Sequence, residues 1–493
     1  MRRTTRSTEV TTIDFSNFSG GINLITAPEN IEQNELAECV NMTYSSQPGR
    51  LRTRDGIGMP VVTYPSDITS LYWYEKGKVL LASSGTTLYE IKPQEKAIGT
   101  LSGTSAPYYC EFGDELFIAS GGKIQKFNPL SSTLETVSGS PSLHGLYSRA
   151  GRLYGWNESS DTISGSGVGD PLNWTVPDSP TDADPVEVQI GYKVAGNIVG
   201  CYPSMTDVIV FKEHATFRLI DEYPDWSIKE VSRDEALANG HSAVIVGGVL
   251  YYLEKSKGMR VLKGSDEYSQ ILPSECLKKV NPWVRGSLDN KTCRLWNLPA
   301  RNILLVSPGG RKVLPAYYEY DSMPALQWEF HDNVNGICEP DRNTLYIAVG
   351  KSVFNFSGVS AFDIDENGEL GLVSCRFSTK KFLSFNEYLL KRLSINAASL
   401  DVLSTDEKLN VFVNDTRLLS ISFFRDESPY VYGNLEIVHE SSMEFGSTFS
   451  MRQDFAKHNL YRTPTLQVSF VSKGAPYELT RFSLEVCGVG VTA

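Results

Sequence analysis

The chain has 493 residues, 41% of them hydrophobic, and a formal net charge of −12 at pH 7. This length allows one large repeat domain with appendages as readily as three separate domains. The net negative charge argues against a protein that binds nucleic acid through its phosphates, because such binding depends on clustered lysines and arginines.

The eight cysteines are scattered and form no CxxC pair, so the sequence indicates neither a zinc site nor a disulfide scaffold. We therefore expect reduced thiols and no cofactor. No stretch approaches the roughly 18 continuous apolar residues of a membrane-spanning helix. The sequence predicts no stable membrane insertion, and folding in a cytoplasm.

Residues 1–65 are predicted to form an extended N-terminal arm, because they contain too few apolar residues for a core of their own. Within this arm, Pro28 and the acidic residues that follow it precede Leu36 and Val40. Acidic residues are favourable at the positive end of a helix. The pattern predicts a short helix over Glu29–Asn41.

Three arginines alternate in the run GRLRTRDG near the end of the arm, namely Arg50, Arg52 and Arg54. On an extended strand all three side chains point to one side. They could grip a phosphate or a carboxylate of a neighbouring chain by bidentate pairing. Alternatively, they could only keep an exposed strand edge soluble. We treat them as candidate assembly residues.

Residues 66–360 repeat one unit about seven times, a short apolar strand, a turn built on Gly, Ser or Asn, and a second strand. The units start at Val79, Glu115, Arg152, Asp207, Gly248, Asn302 and Thr344. Their starts are roughly 36 to 55 residues apart, close to the roughly 40 to 50 residues of a propeller blade. The period predicts an all-β fold with a β-propeller. The best helical insertion is Pro273–Val284, which we expect the Pro282-Trp283 pair to end.

Residues 361–493 lose this rhythm and contain longer strands. Phe482, Leu484 and Val486 alternate with polar residues, as in half-buried antiparallel strands. A C-terminal antiparallel β domain, sandwich-like, is predicted.

The run FDIDENGELG contains Asp363, Asp365, Asn367 and Gly368 in the order of the first half of a calcium loop. Such a loop needs a bidentate carboxylate at its twelfth position, which here is Ser374. The sequence therefore favours a turn that joins two domains over a metal site. It leaves open whether Asp363, Asp365 and Asn367 bind calcium.

No motif indicates catalysis. The six histidines are isolated, and neither a GxSxG elbow nor a GxxxxGK phosphate loop is present. A propeller glycosidase would use paired carboxylates, whose separation one sequence does not give. We expect no catalytic residue and no enzyme activity.

The N-terminal pattern resembles the opening of a family, the nozzle or packaged-DNA stabilisation proteins of short-tailed bacteriophages. The residues that carry the resemblance are FSGGIN at Phe18–Asn23, Asn34, Glu35 and Asn41, followed by Gly49, Leu51, Arg54 and Gly56. Softer similarities follow in RLYGWNESSDTISGS and in the terminal RFSLEVCGVGV.

This resemblance implies a structural virion protein of the phage tail that is assembled in the host cytoplasm. It implies a sixfold homo-oligomeric ring below the portal and adaptor proteins, in contact with a tail needle, plug or tail spikes. The central channel would hold packaged DNA and conduct it during ejection, without sequence-specific binding. An acidic wall fits this role, because it repels phosphate.

Two other classes of protein stay open. One is a propeller that binds glycans, or cleaves glycosides, on a phage tail. The other is a cellular propeller that acts as a protein-binding hub.

Overall fold

The structure is a computed structural model that describes residues 10–45, 49–204, 207–220, 222–263, 272–356, 362–365, 367–399, 408–414, 416–422, 436–438, 448–454, 462–473 and 477–489. The chain divides into two compact units. The terminal unit comprises Met1–Met59, Leu314–Glu329 and Gly358–Ala493, and the propeller unit comprises Pro60–Val313 and Phe330–Ser357. In the described part of the chain, no helix is long and apolar enough to cross a membrane.

The N-terminal segment is extended, as predicted. Its strands are β1 Val10–Phe15, β2 Gly21–Ile22, β3 Glu35–Val40, β4 Met42–Tyr44, β5 Leu51–Thr53 and β6 Pro60–Thr63. The predicted helix over Glu29–Asn41 is wrong, because turns precede β3 there and β3 pairs with strands on both sides. Pairing in a sheet buries Leu36 and Val40 and overrides the local helix signal.

Among the described residues, seven four-stranded antiparallel sheets form the propeller. The first sheet contains β7 Ile68–Tyr74, β8 Val79–Ser84, β9 Thr87–Lys92 and β10 Lys96–Thr100. The second contains β11 Tyr108–Phe112, β12 Glu115–Ala119, β13 Gln125–Asn128 and β14 Thr133–Thr136. The third contains β15 Gly145–Arg149, β16 Arg152–Trp156, β17 Thr162–Gly165 and β18 Val186–Gln189. The fourth contains β19 Ile198–Pro203, β20 Asp207–Lys212, β21 Thr216–Ile220 and β22 Ser227–Ser232. The fifth contains β23 Ala243–Val246, β24 Val249–Glu254, β25 Gly258–Lys263 and β26 Leu272–Glu275.

A short helix, α1 Asn281–Ser287, lies between the fifth and sixth sheets. The helix was predicted over Pro273–Val284 and is displaced, because Pro282 occupies its first turn, where a proline is tolerated, rather than ending it. The sixth sheet contains β27 Arg294–Leu298, β28 Ile303–Ser307, β29 Lys312–Tyr317 and β30 Trp328–Glu329, with a 3₁₀ turn Pro299–Arg301 after β27.

The seventh sheet is completed from the other end of the propeller sequence. Its strands β31 Val334–Asp341, β32 Thr344–Val349 and β33 Ser352–Asn355 are followed at the edge by β6. The first strand of the seventh sheet, β31, lies beside β7 of the first sheet. The sheets therefore close into a ring, and the predicted propeller is confirmed, with each repeat unit forming the second and third strands of its sheet.

The C-terminal strands are β34 Phe362–Ile364, β35 Leu370–Leu372, β36 Ser374–Thr379, β37 Phe382–Ser399, β38 Lys408–Val413, β39 Thr416–Ser422, β40 Glu436–Val438, β41 Thr448–Asp454, β42 Arg462–Leu466, β43 Val468–Lys473 and β44 Tyr477–Val489. One sheet has the order β4-β5-β44-β37-β41-β40, with β1 on β44 and β42 on β37, and the other has the order β2-β3-β36-β43-β38-β39. Each sheet thus combines strands from both ends of the chain.

Aromatic side chains fill the space between these two sheets. The rings of Phe470 and Phe482, one from each sheet, lie 5.0 Å apart, and Phe18 packs against both Phe377 and Phe482. All four side chains are buried. The predicted sandwich-like C-terminal domain is confirmed, and the N-terminal segment is part of it rather than a separate arm.

The closure of the seventh sheet depends on β6. Val62 of β6 is buried in a core with Ile68, Leu80 and Val353, whereas the adjacent Val61 is 43% exposed. We expect Val62→Asp to lower the free energy of unfolding by more than about 3 kcal/mol, because it leaves a carboxylate unpaired in a core.

Urea unfolding followed by tryptophan fluorescence measures this effect. Val61→Asp is the matched control, with an expected change within about 0.5 kcal/mol. Equal losses for the two variants would show that β6 does not contribute to the core between the seventh and first sheets.

Candidate functional site

Arg54, the last of the three predicted assembly residues, lies at the centre of a buried polar network in the terminal unit. Its Nε donates to Asn41 Oδ1 at 2.9 Å, and its Nη2 donates to the Glu329 carbonyl at 2.8 Å and to Asp363 Oδ2 at 2.5 Å. Asp363 Oδ1 also accepts the Ile57 N–H at 3.1 Å. One guanidinium therefore ties together three segments that are far apart in sequence.

Only 2% of Arg54 is exposed, and the partners described above all belong to the same chain. Strand β5 ends at Thr53, so Arg54 lies beyond the strand whose alternation the prediction used. Arg52 is half-buried and pairs with both carboxylate oxygens of Asp55, at 2.9 and 3.2 Å. Arg50 lies 3.8 Å from Glu478. A role of Arg50, Arg52 and Arg54 in assembly stays a prediction.

The two aspartates of the calcium-like run face different groups. Asp363 binds Arg54, whereas Asp365 Oδ1 accepts the backbone N–H groups of Glu369 and Asn367 at 2.9 and 2.8 Å. These backbone hydrogen bonds lower the pKa of Asp365. The described residues include no group of three or more His, Cys, Asp or Glu that could hold a metal ion. Asp365 and Asn367 form the turn between β34 and β35.

The residues of the N-terminal pattern occupy demanding positions in the terminal unit. Gly21 has a φ of +67°, and a Cβ there would lie 2.8 Å from the Cβ of Pro324. Asn41 has a φ of 56° between β3 and β4, a conformation that asparagine tolerates. Asn23 Nδ2 donates to Glu35 Oε2 at 2.9 Å. The pattern therefore specifies the backbone and the polar contacts of this unit.

A second cluster, which the sequence analysis missed, joins sheets across the propeller axis. Tyr202 of the fourth sheet donates its hydroxyl to the Gly240 carbonyl at 2.6 Å, and Tyr108 of the second sheet donates to the same carbonyl. Gly240 precedes the first strand of the fifth sheet. Residues of the second and fifth sheets of a seven-membered ring meet only across its centre, so this cluster closes the axis.

His241 extends this cluster. Its ring stacks on Tyr108 at 4.0 Å, and Nε2 donates to the Ala106 carbonyl at 3.2 Å. Burial, and then the nearby Arg294 guanidinium, lower the pKa of His241 to about 3. The imidazole is therefore neutral near pH 7 and supports a fixed hydrogen bond. Tyrosines in the first strand of a sheet do not by themselves predict this cluster, because aromatic residues occur in strands throughout the propeller.

No family model and no curated protein matches the chain. Among solved structures, the chain is similar to PorZ of the type-IX secretion system of Porphyromonas gingivalis, at 16% identity, with 61% of this chain and 38% of that chain covered and a TM-score of 0.39. It is also similar to the extracellular domain of a putative one-component system from B. thetaiotaomicron, at 11% identity, 89% and 63% coverage and a TM-score of 0.45.

A third similar structure is the β-propeller domain of Cps50 (Swd1) from Myceliophteria thermophila, at 8% identity, 64% and 98% coverage and a TM-score of 0.41. The chain spans less than two thirds of the length of the first two of these proteins. At such identities and TM-scores the likenesses carry no argument about function.

The pairing of Arg54 with Asp363 predicts a selective loss of stability. We expect Asp363→Asn to lower the free energy of unfolding by about 2 kcal/mol or more, because it leaves a buried guanidinium without its counter-charge. Asp365→Asn in the same hairpin is the control and should lower the urea midpoint much less, because the asparagine side-chain oxygen can still accept the N–H groups of Asn367 and Glu369. A loss that is the same for both variants would contradict the network described for Arg54.

The neutral state of His241 predicts a pH dependence. Below its ordinary pKa of 6.5, the unfolded chain takes up a proton that the folded protein excludes down to about pH 3, so stability falls as pH falls through 6.5. At pH 5 this difference amounts to about 2 kcal/mol.

Urea unfolding from pH 7.5 to 5 tests this dependence. His241→Gln should have a flatter pH profile than the wild type, and His144→Gln should keep the wild-type slope. A wild-type slope in His241→Gln would show that the imidazole is protonated in the folded state.

Proposed function

We propose that the chain is a structural virion protein that forms the ring-shaped tail nozzle of a short-tailed bacteriophage. The ring would lie below the portal and adaptor proteins and hold packaged DNA until ejection. The observation that carries this proposal is the structural role of the residues in the N-terminal pattern. Gly21, Asn23, Asn41 and Arg54 set the backbone and the polar contacts of the terminal unit. A resemblance carried by such positions favours a shared architecture.

The closed propeller axis adds a constraint to this proposal. Because Tyr108 and Tyr202 meet Gly240 across the centre, DNA does not pass through the propeller of one copy. A duplex channel therefore requires several copies around a common axis. The net charge of −12 suits such a channel, since an acidic wall repels phosphate.

The second candidate is a propeller that binds or cleaves glycans on a phage tail. The two proposals differ in oligomeric state and in activity. A nozzle forms a closed ring that does not degrade polysaccharide. A protein that acts on glycans needs no ring.

Light scattering coupled to gel filtration, followed by electron microscopy of the peak fraction, tests the ring. We expect closed rings of about six copies, and DNA binding that is weak and vanishes at physiological salt. Particles that remain monomeric, or robust depolymerisation of polysaccharide, would overturn the proposal.

The arginines of β5 offer a finer test. Deleting residues 1–60 is unsuitable, because it removes strands from both sheets of the terminal unit and part of β6. We expect the double substitution Arg50→Ala and Arg52→Ala to reduce the ring fraction with only a modest fall in the unfolding midpoint, because both ion pairs are partly exposed, with side-chain exposures between 21% and 31%. Arg376→Ala, which breaks the exposed pair with Glu38, is the control and should form rings normally. Normal rings from the double variant would assign the two arginines to solubility alone.

A further inference from the structure

The long connection between β17 and β18 in the third sheet exposes apolar side chains and carries only negative charge. Residues 166–185, which we call the acidic loop, contain four aspartates and no lysine or arginine. Three of its apolar residues, Val168, Leu172 and Val176, are between 43% and 50% exposed. Exposed apolar side chains that are grouped in this way, with charges around them, are typical of a protein–protein contact surface.

Two buried side chains hold the acidic loop in place. Trp174 is buried in the core between the second and third sheets, and its Nε1 donates to the Pro171 carbonyl at 2.8 Å. Arg152, which is 2% exposed, donates to the backbone carbonyls of Asp182 and Asp184, the latter at 2.7 Å. Because the loop is already fixed, a partner that binds it pays little for ordering it.

The connection between β26 and β27, which follows the fifth sheet, carries the opposite charge. Residues 276–293, which we call the basic segment, contain four basic residues and one acidic residue, namely Lys278, Lys279, Arg285 and Lys291 against Asp289. Lys278 and Arg285 are exposed, and Trp283 is half-buried. Among the described residues, neither Lys278 nor Arg285 has an ion-pair partner. Tryptophan and arginine are enriched among the residues that contribute most to protein–protein binding.

Asn281 fixes the basic segment on the fifth sheet. This residue is 3% exposed, and its Oδ1 accepts the Met259 N–H at 2.6 Å. Its Nδ2 donates to the Lys257 carbonyl at 3.0 Å and to Glu275 Oε1 at 2.8 Å. Lys257 lies in the turn between β24 and β25. The basic segment therefore lies at the end of the sheet where the second and third strands are connected.

The acidic loop lies at the other end of the propeller strands. The Gly169 N–H donates to the carbonyl of Gly151, in the turn between β15 and β16, at 2.7 Å. In an antiparallel sheet, the turn between the first and second strands lies opposite the turn between the second and third. All seven sheets repeat this strand order around the ring. A single copy therefore holds its acidic loop and its basic segment apart, on opposite faces of the propeller.

We propose that the acidic loop of one copy docks on the basic segment of the next copy, in a head-to-tail contact that repeats around the ring. This interface rests on the proposed nozzle and adds how its copies join. A head-to-tail contact uses two different surfaces of each copy, and it closes into a ring when the rotation between successive copies returns to its start. Complementary charges fix the register of such a contact and suppress wrong pairings.

Charge reversal in the full-length protein tests this contact. The acidic-loop variant carries Asp178→Lys and Asp182→Lys, and the basic-segment variant carries Lys278→Glu and Arg285→Glu. We expect each variant alone to have a ring fraction at least about tenfold below that of the wild type, because like charges then face each other. An equimolar mixture should form rings in which the two variants alternate, because every contact then joins opposite charges. Light scattering coupled to gel filtration measures the ring fraction.

Two further variants separate the contact from general effects of charge. Glu135→Lys combined with Glu230→Lys changes the net charge as the acidic-loop variant does, but on the exposed outer strands β14 and β22, and should form rings normally. Asp178→Asn combined with Asp182→Asn removes the charges without reversing them and should lower the ring fraction less than the lysine variant. All these side chains are exposed, so we expect urea midpoints close to that of the wild type.

The outcomes distinguish this interface from the nozzle itself. A wild type that forms no ring would overturn the nozzle, and the interface with it. Wild-type rings together with normal rings from either reversed variant would overturn the interface alone. A mixture of the two folded variants that forms no rings would also overturn it, because complementary charges would then be restored without effect.

Discussion

The whole structure depends on strand pairing between the two ends of the chain. Strand β6 completes the seventh sheet of the propeller, and the strands just before it join both sheets of the terminal unit. Only residues 54–59 separate β5 from β6. Without β6, strand β33 would be an unpaired edge, which is the part of a sheet most open to wrong association. The same short segment therefore limits how either unit can fold.

The sequence predicted the parts of the fold that are encoded locally. Each repeat unit is a buried hairpin of the second and third strands of a sheet, such as β8 and β9, so its apolar residues and turn are visible within about 15 residues. The N-terminal segment was misassigned because its partners are remote. Strand β3 pairs with β36, more than 300 residues later, and nothing near Glu29–Asn41 reveals this pairing. Pro282 shows the opposite ambiguity, since a proline suits the first turn of a helix as well as the residues beyond its end.

The candidate sites show the same division between local and remote information. Arg54 and Asp363 were singled out for unrelated reasons, one as an assembly residue and one as a calcium-like ligand, and the structure pairs them across 309 positions. Asp365 lies in the turn that the sequence favoured, because this turn depends only on the residues that follow Asp365 in the chain. The cluster of Tyr108, Tyr202 and Gly240 depends on closure of the ring, so a single sequence has no means of predicting it.

Buried polar groups are hydrogen-bonded in one part of the propeller and lack hydrogen-bond partners in another. At the axis, the hydroxyls of Tyr108 and Tyr202 both donate to the Gly240 carbonyl, and the neutral His241 ring stacks on Tyr108. Between the third and fourth sheets, Tyr147, Trp226 and one nitrogen of Arg149 are buried without acceptors. An unmade hydrogen bond of this kind costs about 1–3 kcal/mol, and a large ring of sheets tolerates it where a small domain would not. The hydrogen bonds at the axis therefore contribute to the stability of the propeller, whereas the unpaired groups between the third and fourth sheets reduce it.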